Sequence, residues 1–374
     1  MTQIFDPLAI RGVTLRNRIV VSPMCQYSSE DGFANDWHLV HLGGFAVGGA
    51  SLVFTEATAV TAEGRISPED LGIWKDAHID YLARVARFVA GQGAVPAMQL
   101  AHAGRKASTQ RPWDGPNAIP LDKGGWVPLA PSAVAYSEQY AMPREMSKEE
   151  IRQVVDAFAQ AARRALEAGY KLLEIHGAHG YLMHEFFSPL SNFRKDEYGG
   201  SFENRTRIAR EVVTAIRKQM PEQLPLFIRI SATDWKEGGW DVDQAVELAK
   251  QLKPLGVDLV DCSSAGLVHD QKIVVGPAFQ VPFAERIRRE AGILTGTVGM
   301  IESKEQVAEI LANDRADLVF MAREFLRDAR WPLRAARELK QPMSWPVQYL
   351  RAAPPDSTQR KPFDMELNKA KAGM

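Results

Sequence analysis

Eight short apolar runs rich in β-branched residues, separated by amphipathic stretches, limit what this chain can fold into more than any other feature. They read RIVVSPM (18–24), LVFTEAT (52–58), VPAMQLAH (95–102), KLLEIHG (171–177), LFIRISA (226–232), VDLVDCSS (257–264), ILTGTVG (293–299) and ADLVFMAR (316–323). None alternates apolar with polar residues, which is the pattern of parallel strands covered on both faces. The intervening stretches have helical period and helical punctuation. In 147–169, Ser147 and Glu150 have capping-box spacing, while Ile151, Val154, Val155, Phe158, Ala162 and Leu166 share a face and Gly169 offers a left-handed stop. Asp241 with Gln244 and Ser303 with Gln306 open two later helices in the same way, and Gly256 and Gly292 close two. Strands alternating with helices in this number predict an α/β fold, a (β/α)8 TIM barrel with an N-terminal hairpin and long βα loops.

The competing architecture, an open doubly wound sheet, wants G-x-G-x-x-G just after its first strand, where this chain has SPMCQYSSEDG. The glycines Gly43, Gly44, Gly48 and Gly49 precede the second run and read as close helix–strand packing with a helix stop. The opening FDPLAIRGVTLRNR suggests a hairpin closing the barrel floor. Two connections, 103–146 and 184–202, exceed plain turns and are expected to build or cover a site. No composition break marks a second domain, so residues 1–350 are expected to form the barrel and 351–374 a C-terminal arm.

Composition removes several functions. Lys plus Arg (45) nearly cancel Asp plus Glu (46), so no overall field favours nucleic acid or an anionic membrane. No run approaches the ~20 apolar residues that span a bilayer, and with no leader-like N-terminus a cytoplasmic location is expected. The two cysteines, Cys25 and Cys262, form no C-x-x-C, which disfavours disulfides, four-cysteine zinc and cysteine-held clusters. Redox chemistry here would need an organic cofactor.

In a barrel, the carboxyl ends of the strands face the catalytic mouth. There the chain places Cys25 and Tyr27; Glu56, Ala57 and Thr58; Gln99 and His102; His176, His179 and Tyr181; Arg229; Ser263 and Ser264; Gly299; and Ala322 with Arg323. Gly299 and Arg323 fall in the loops after strands seven and eight, where such barrels cradle phosphate. Arg229, inside LFIRISA, needs an anionic partner, either a structural carboxylate or a flavin that becomes negative on reduction. Gln99 could satisfy the edge of the same ring. In HGAHGYL, His176 and His179 are either metal ligands, packed corner residues, or neutral donors to a substrate oxygen, with Tyr181 as a general acid. His38 and His41 fall within a helical stretch and read as packing residues.

These residues resemble the Old Yellow Enzyme family of FMN-dependent ene-reductases, in its xenobiotic-reductase or thermophilic-like branch. The resemblance runs from FDPLAIRGVTLRNRIVVSPMCQYS through HGAHGYLMHEFFSPLSNFRKDEYGGS to FMAREFLRD and VQYLRA. It implies bound FMN contacted by Ser22, Pro23, Met24, Cys25, Ala57, Gln99 and Arg229, with Gly299, Ala322 and Arg323 at the phosphate. Ser263 belongs with this cofactor set. It further implies NADPH or NADH as hydride donor, His176 and His179 holding a carbonyl or nitro oxygen, Tyr181 as proton donor, and Tyr27 as a second substrate contact. Substrates would be small activated alkenes. Arg351 would reach a neighbour's site in a homodimer or homotetramer. The reading from another class is a metal-dependent barrel hydrolase with His176 and His179 as ligands.

Overall fold

The computed structural model describes residues 2–354 apart from Pro116. Each of the eight apolar runs contains a strand: β1 (Ile19–Val21), β2 (Leu52–Ala59), β3 (Val95–Ala101), β4 (Leu172–Gly177), β5 (Leu226–Ser231), β6 (Leu259–Ser263), β7 (Leu294–Thr297) and β8 (Leu318–Met321). All neighbours are parallel, and β8 pairs with β1 to close the barrel. Most strands are shorter than the runs that announced them, because flanking residues such as Pro23 and Met24 belong to a loop of the mouth and Arg323 opens a short helix, Arg323–Arg327.

The floor and mouth of the lumen follow from the two-residue period of a strand. Val20, Leu52, Phe54, Ala97, Leu172, Phe227, Leu259, Leu318 and Phe320 form one buried apolar cluster with Ile10 and Leu15. Stepping two residues onward from these floor positions reaches Ser22, Gln99, Glu174, Arg229, Asp261 and Ala322, and a further step reaches His176 and Ser263. Register aligns them across strands: Ala57 lies opposite Gln99, Gln99 opposite Glu174, His176 opposite Arg229, and Arg229 opposite Asp261. An apolar plug thus carries a ring of polar groups above it.

The expected hairpin is present, with Leu8–Ile10 antiparallel to Val13–Leu15. Its Ile10 and Leu15 join the floor cluster, so it closes the barrel from below. The outer layer is equally regular. Strand residues such as Val53, Ile175 and Ile228 pack in one cluster with the helical residues Leu82, Phe158, Val212, Leu248, Ile287 and Ile310. Ser147 and Ser303 both make complete capping boxes, and Asp241 accepts from the Gln244 N–H.

Two expectations need correction. The cluster at Gly43–Gly49 does stop a helix, Asp36–Val47, at Gly48, but its close packing is not against a strand. A Cβ on Gly43 would come within 2.7 Å of Phe88 in the next helix, and one on Gly48 within 1.8 Å of the Ala329 carbonyl. The loop expected from residue 184 begins as helix, Leu182–Phe187, and becomes irregular only afterwards.

Candidate active site

Strand β4 runs directly into the HGAHGYL turn, and the turn is held by groups scattered through the chain. His179 sits in the left-handed region at φ 59° and Gly180 follows at φ 71°. The His179 N–H donates to Ser231 Oγ at 2.9 Å, the Lys106 ammonium donates to the His179 carbonyl at 2.8 Å, and the Gly180 N–H donates to His184 Nδ1 at 2.9 Å. On its other side His184 lies 2.8 Å from Asp234, and both side chains are fully buried. A backbone conformation that would otherwise relax is therefore over-determined.

The turn brings three rings together. His176 meets His179 edge-on with ring centroids 5.1 Å apart, and Tyr181 with centroids 5.0 Å apart. Burial, reinforced by His179 and Arg229, pushes the His176 pKa well down, and burial with Arg229 does the same to His179, so both imidazoles are neutral. The Ala178 N–H donates to His176 Nδ1 at 3.3 Å, which leaves the ring proton on Nε2 as a donor. His179 Nε2 is 2.7 Å from Ser263 Oγ. Burial pushes the Tyr181 phenol well up, helped by Cys25 and Tyr27, so it keeps its proton at neutral pH.

Arg229 has the anionic partner that its position required. It forms a buried ion pair with Asp261, donates to Ser22 Oγ at 2.8 Å, and stands 4.0 Å from Glu174. Gln99 donates to Glu174 at 2.8 Å. Of the two options raised for Arg229, the structural ion pair is the one present. Asp261 and Glu174 had no place in the sequence-level site. Glu56, expected at the mouth, works as a brace instead, accepting from the Gln26 N–H at 2.9 Å and contacting His38 at 3.2 Å. It thereby fixes the segment that carries Cys25 and Tyr27. His38 is more than packing, since it also completes the cap of its helix. His41 stacks on Trp37 and meets Phe45 edge-on.

At the far side, Gly299, Met300, Ala322 and Arg323 line one cavity of about 70 Å³. Gly299 adopts φ 121°, and a Cβ there would come within 2.8 Å of Gln280, whose carbonyl accepts from Ser264 at 2.6 Å. The long loop after β3 contributes Lys106 and Trp113, neither of which stood out in the sequence. Lys106 lies 5.5 Å from the centroid of the Tyr181 ring, and burial with Arg105 pulls its pKa down to about 7. Trp113 packs edge-on over Tyr27 at 5.8 Å.

Arg351 is exposed on the closing turn Val347–Ala352. The segment before it, Ser344–Gln348, lines a cleft with Gly49 and Gly93. Those glycines precede β2 and β3, at the floor end, so this arginine stands away from the mouth of its own barrel. Residues 355–374, most of the expected arm, lie outside the described residues.

A profile described as the NADH:flavin oxidoreductase / NADH oxidase family matches residues 3–342. The chain belongs to this family. The enzyme is 52% identical over 352 residues to an NADPH dehydrogenase of Geobacillus sp. (strain WCH70), covering 94% of this chain and 98% of that one. It is 47% identical over 351 residues to an NADPH dehydrogenase of Bacillus subtilis (strain 168), covering 93% and 98%. Among solved structures, morphinone reductase superposes with a TM-score of 0.77 at 25% identity, covering 92% and 91% of the two chains. The old yellow enzyme homologue from Zymomonas mobilis gives a TM-score of 0.74 at 25% identity, covering 92% and 95%. The protein is an FMN-dependent oxidoreductase of the Old Yellow Enzyme family, drawing hydride from NAD(P)H.

The residues fit that cofactor. An anion-sized cavity with a glycine backbone and an arginine lies after β7 and β8, and a charged guanidinium and a primary amide lie within the lumen. The hydrolase alternative finds no support: among the described residues, no group of three or more His, Cys, Asp or Glu could hold a metal ion. No helix among the described residues is long and apolar enough to cross a membrane.

Proposed function

We propose that this oxidoreductase reduces the carbon–carbon double bond of small α,β-unsaturated carbonyl or nitro compounds. The observation that carries the reading is the ring cluster: a neutral His176 with its proton on Nε2, a neutral His179 and a protonated Tyr181 share one turn of the mouth. Bound FMN would supply the hydride chemistry that links NADPH to the β-carbon of the alkene.

The remaining work falls to the chain. Gly299, Ala322 and Arg323 would hold the phosphate, Ser22, Pro23, Met24, Cys25 and Ala57 would contact the cofactor, and Gln99 and Arg229 would hold the polar edge of its ring. Asp261 and Glu174 keep the guanidinium aimed. His176 and His179 donate to the substrate oxygen and stabilise enolate charge as it develops, an effect worth about 3–4 kcal/mol per donor in comparable sites. Neutral donors suit this task, because an imidazolium would protonate the oxygen outright. Tyr181 gives its proton to the α-carbon, and Tyr27 closes the pocket opposite. Ser263 reaches this site through His179, to which it is hydrogen-bonded, as well as through the cofactor. Arg351 enters a neighbour's mouth, which makes the working unit at least a dimer.

The direct test is spectroscopic. Purified protein is expected to be yellow, to bleach with NADPH under anaerobic conditions and to recolour on addition of cyclohexenone. A bleached enzyme that stays colourless with a panel of enones and nitroalkenes would remove the proposed substrate class.

A further inference from the structure

A tyrosine that gives its proton away must regain it before the next turnover. Beside Tyr181 lies a small cavity of about 10 Å³ whose lining includes both that residue and Asp70. That is room for about one water molecule. Asp70 is only 2% exposed. Its Oδ2 accepts from the Ile66 N–H at 2.6 Å, whereas its Oδ1 is buried with no hydrogen-bond partner among the described residues. An orphaned buried carboxyl oxygen is costly unless a water or a proton meets it.

We propose that Asp70 acts through Tyr181, as the proton store that reloads the phenol by way of a single water in this cavity. The step balances. The Tyr181 O–H bond breaks to protonate the α-carbon; the phenolate takes a proton from the water, the water takes the Asp70 carboxyl proton, and solvent later restores Asp70. No electrons move. The groups facing Asp70 favour its neutral form. Burial raises its pKa well above the usual carboxylate range and Glu56, from β2, adds to this; its own loop opposes, through the Ile66 and Ser67 N–H groups and Arg65. Cys25 and Tyr27 face it from the loop after β1, and Tyr181 from the turn after β4, each kept protonated chiefly by burial. A role confined to anchoring the 66–70 turn would use Oδ2 alone, and asparagine would supply that acceptor.

The inference rests on Tyr181 being the proton donor, so three holoenzymes are compared: wild type, Asp70→Asn and Tyr181→Phe. With NADPH and cyclohexenone, Asp70→Asn is expected to lower kcat by about tenfold or more at alkaline pH and to enlarge the solvent deuterium isotope effect on kcat. Infrared spectra of the wild type are expected to show a protonated carboxyl stretch at neutral pH that Asp70→Asn lacks. A wild-type pH profile and isotope effect in Asp70→Asn, with alkene reduction still slowed in Tyr181→Phe, would overturn the relay alone. Undiminished alkene reduction in Tyr181→Phe would remove the reading beneath it. Should Asp70→Asn fail to fold, a wild-type pH profile and solvent isotope effect in Asp70→Ser would overturn the relay.

Discussion

At the scale of single residues, the site depends on imidazoles that stay uncharged beside an arginine. His176 is 4% exposed and its ring proton is fixed on Nε2 by the Ala178 amide. His176→Ala is expected to weaken binding of a phenol by about a hundredfold, since one donor to an oxyanion is lost. Titration of the long-wavelength charge-transfer absorbance that phenols induce in such flavoproteins measures this; an unchanged dissociation constant would exclude His176 from the oxygen clamp. These residues were legible because they are neighbours in sequence and chemically conspicuous. Asp261 and Glu174 were not, although they are equally buried and equally near. Each hides as a lone acid in an apolar strand, and only the register across β4, β5 and β6 shows that Arg229 lies among them. Lys106 and Trp113 were hidden differently, in a long loop whose path no local periodicity reveals.

At the scale of elements, strands and helix ends were written locally, and strand pairing was not. Ser303 illustrates the first kind: its side chain and that of Gln306 complete a capping box. Ser303→Ala is expected to cost about 1 kcal/mol in denaturant unfolding with unchanged denaturant dependence, and an unaltered midpoint would show that the cap contributes nothing. The glycine cluster at Gly43–Gly49 illustrates the second kind. Its spacing announced close packing, but only the three-dimensional arrangement names Phe88 and Ala329 as what it packs against. Pairing also creates a pH dependence. Burial, with Asp261 beside it, pushes Glu174 from 4.5 up to about 8 in the folded chain. The folded state thus holds this proton more tightly than the unfolded state, and the stability it contributes is full below pH 4.5 and lost as pH rises through about 8. Glu185, raised to about 8 by its own burial, acts in the same direction. Glu174→Gln, which stays neutral, is expected to lose less stability across that window in urea titrations at stepped pH; an identical slope to wild type would mean that Glu174 is already ionised.

At the scale of the whole molecule, the barrel separates its tasks by height. The hairpin and the phenylalanines Phe54, Phe227 and Phe320 fill the floor, and everything reactive stands above them. That division was readable, because eight unalternating strands with polar tips permit little else. Assembly was not, since a single chain does not display its partner. The segment before Arg351 lines a cleft at the floor end of its own barrel, which supports the proposal that this arginine serves another copy. Arg351→Ala is expected to raise KM for the enone while leaving the melting temperature in place, and unaltered steady-state kinetics would contradict a shared mouth.

The measurement that reaches the central claim most directly is anaerobic stopped-flow of the two half-reactions in wild type and Tyr181→Phe. The account expects flavin bleaching by NADPH at a nearly wild-type rate, and recolouring by cyclohexenone slowed by a factor of about 10²–10⁴, the usual worth of a positioned general acid. Equal slowing of both half-reactions, or of neither, would contradict it.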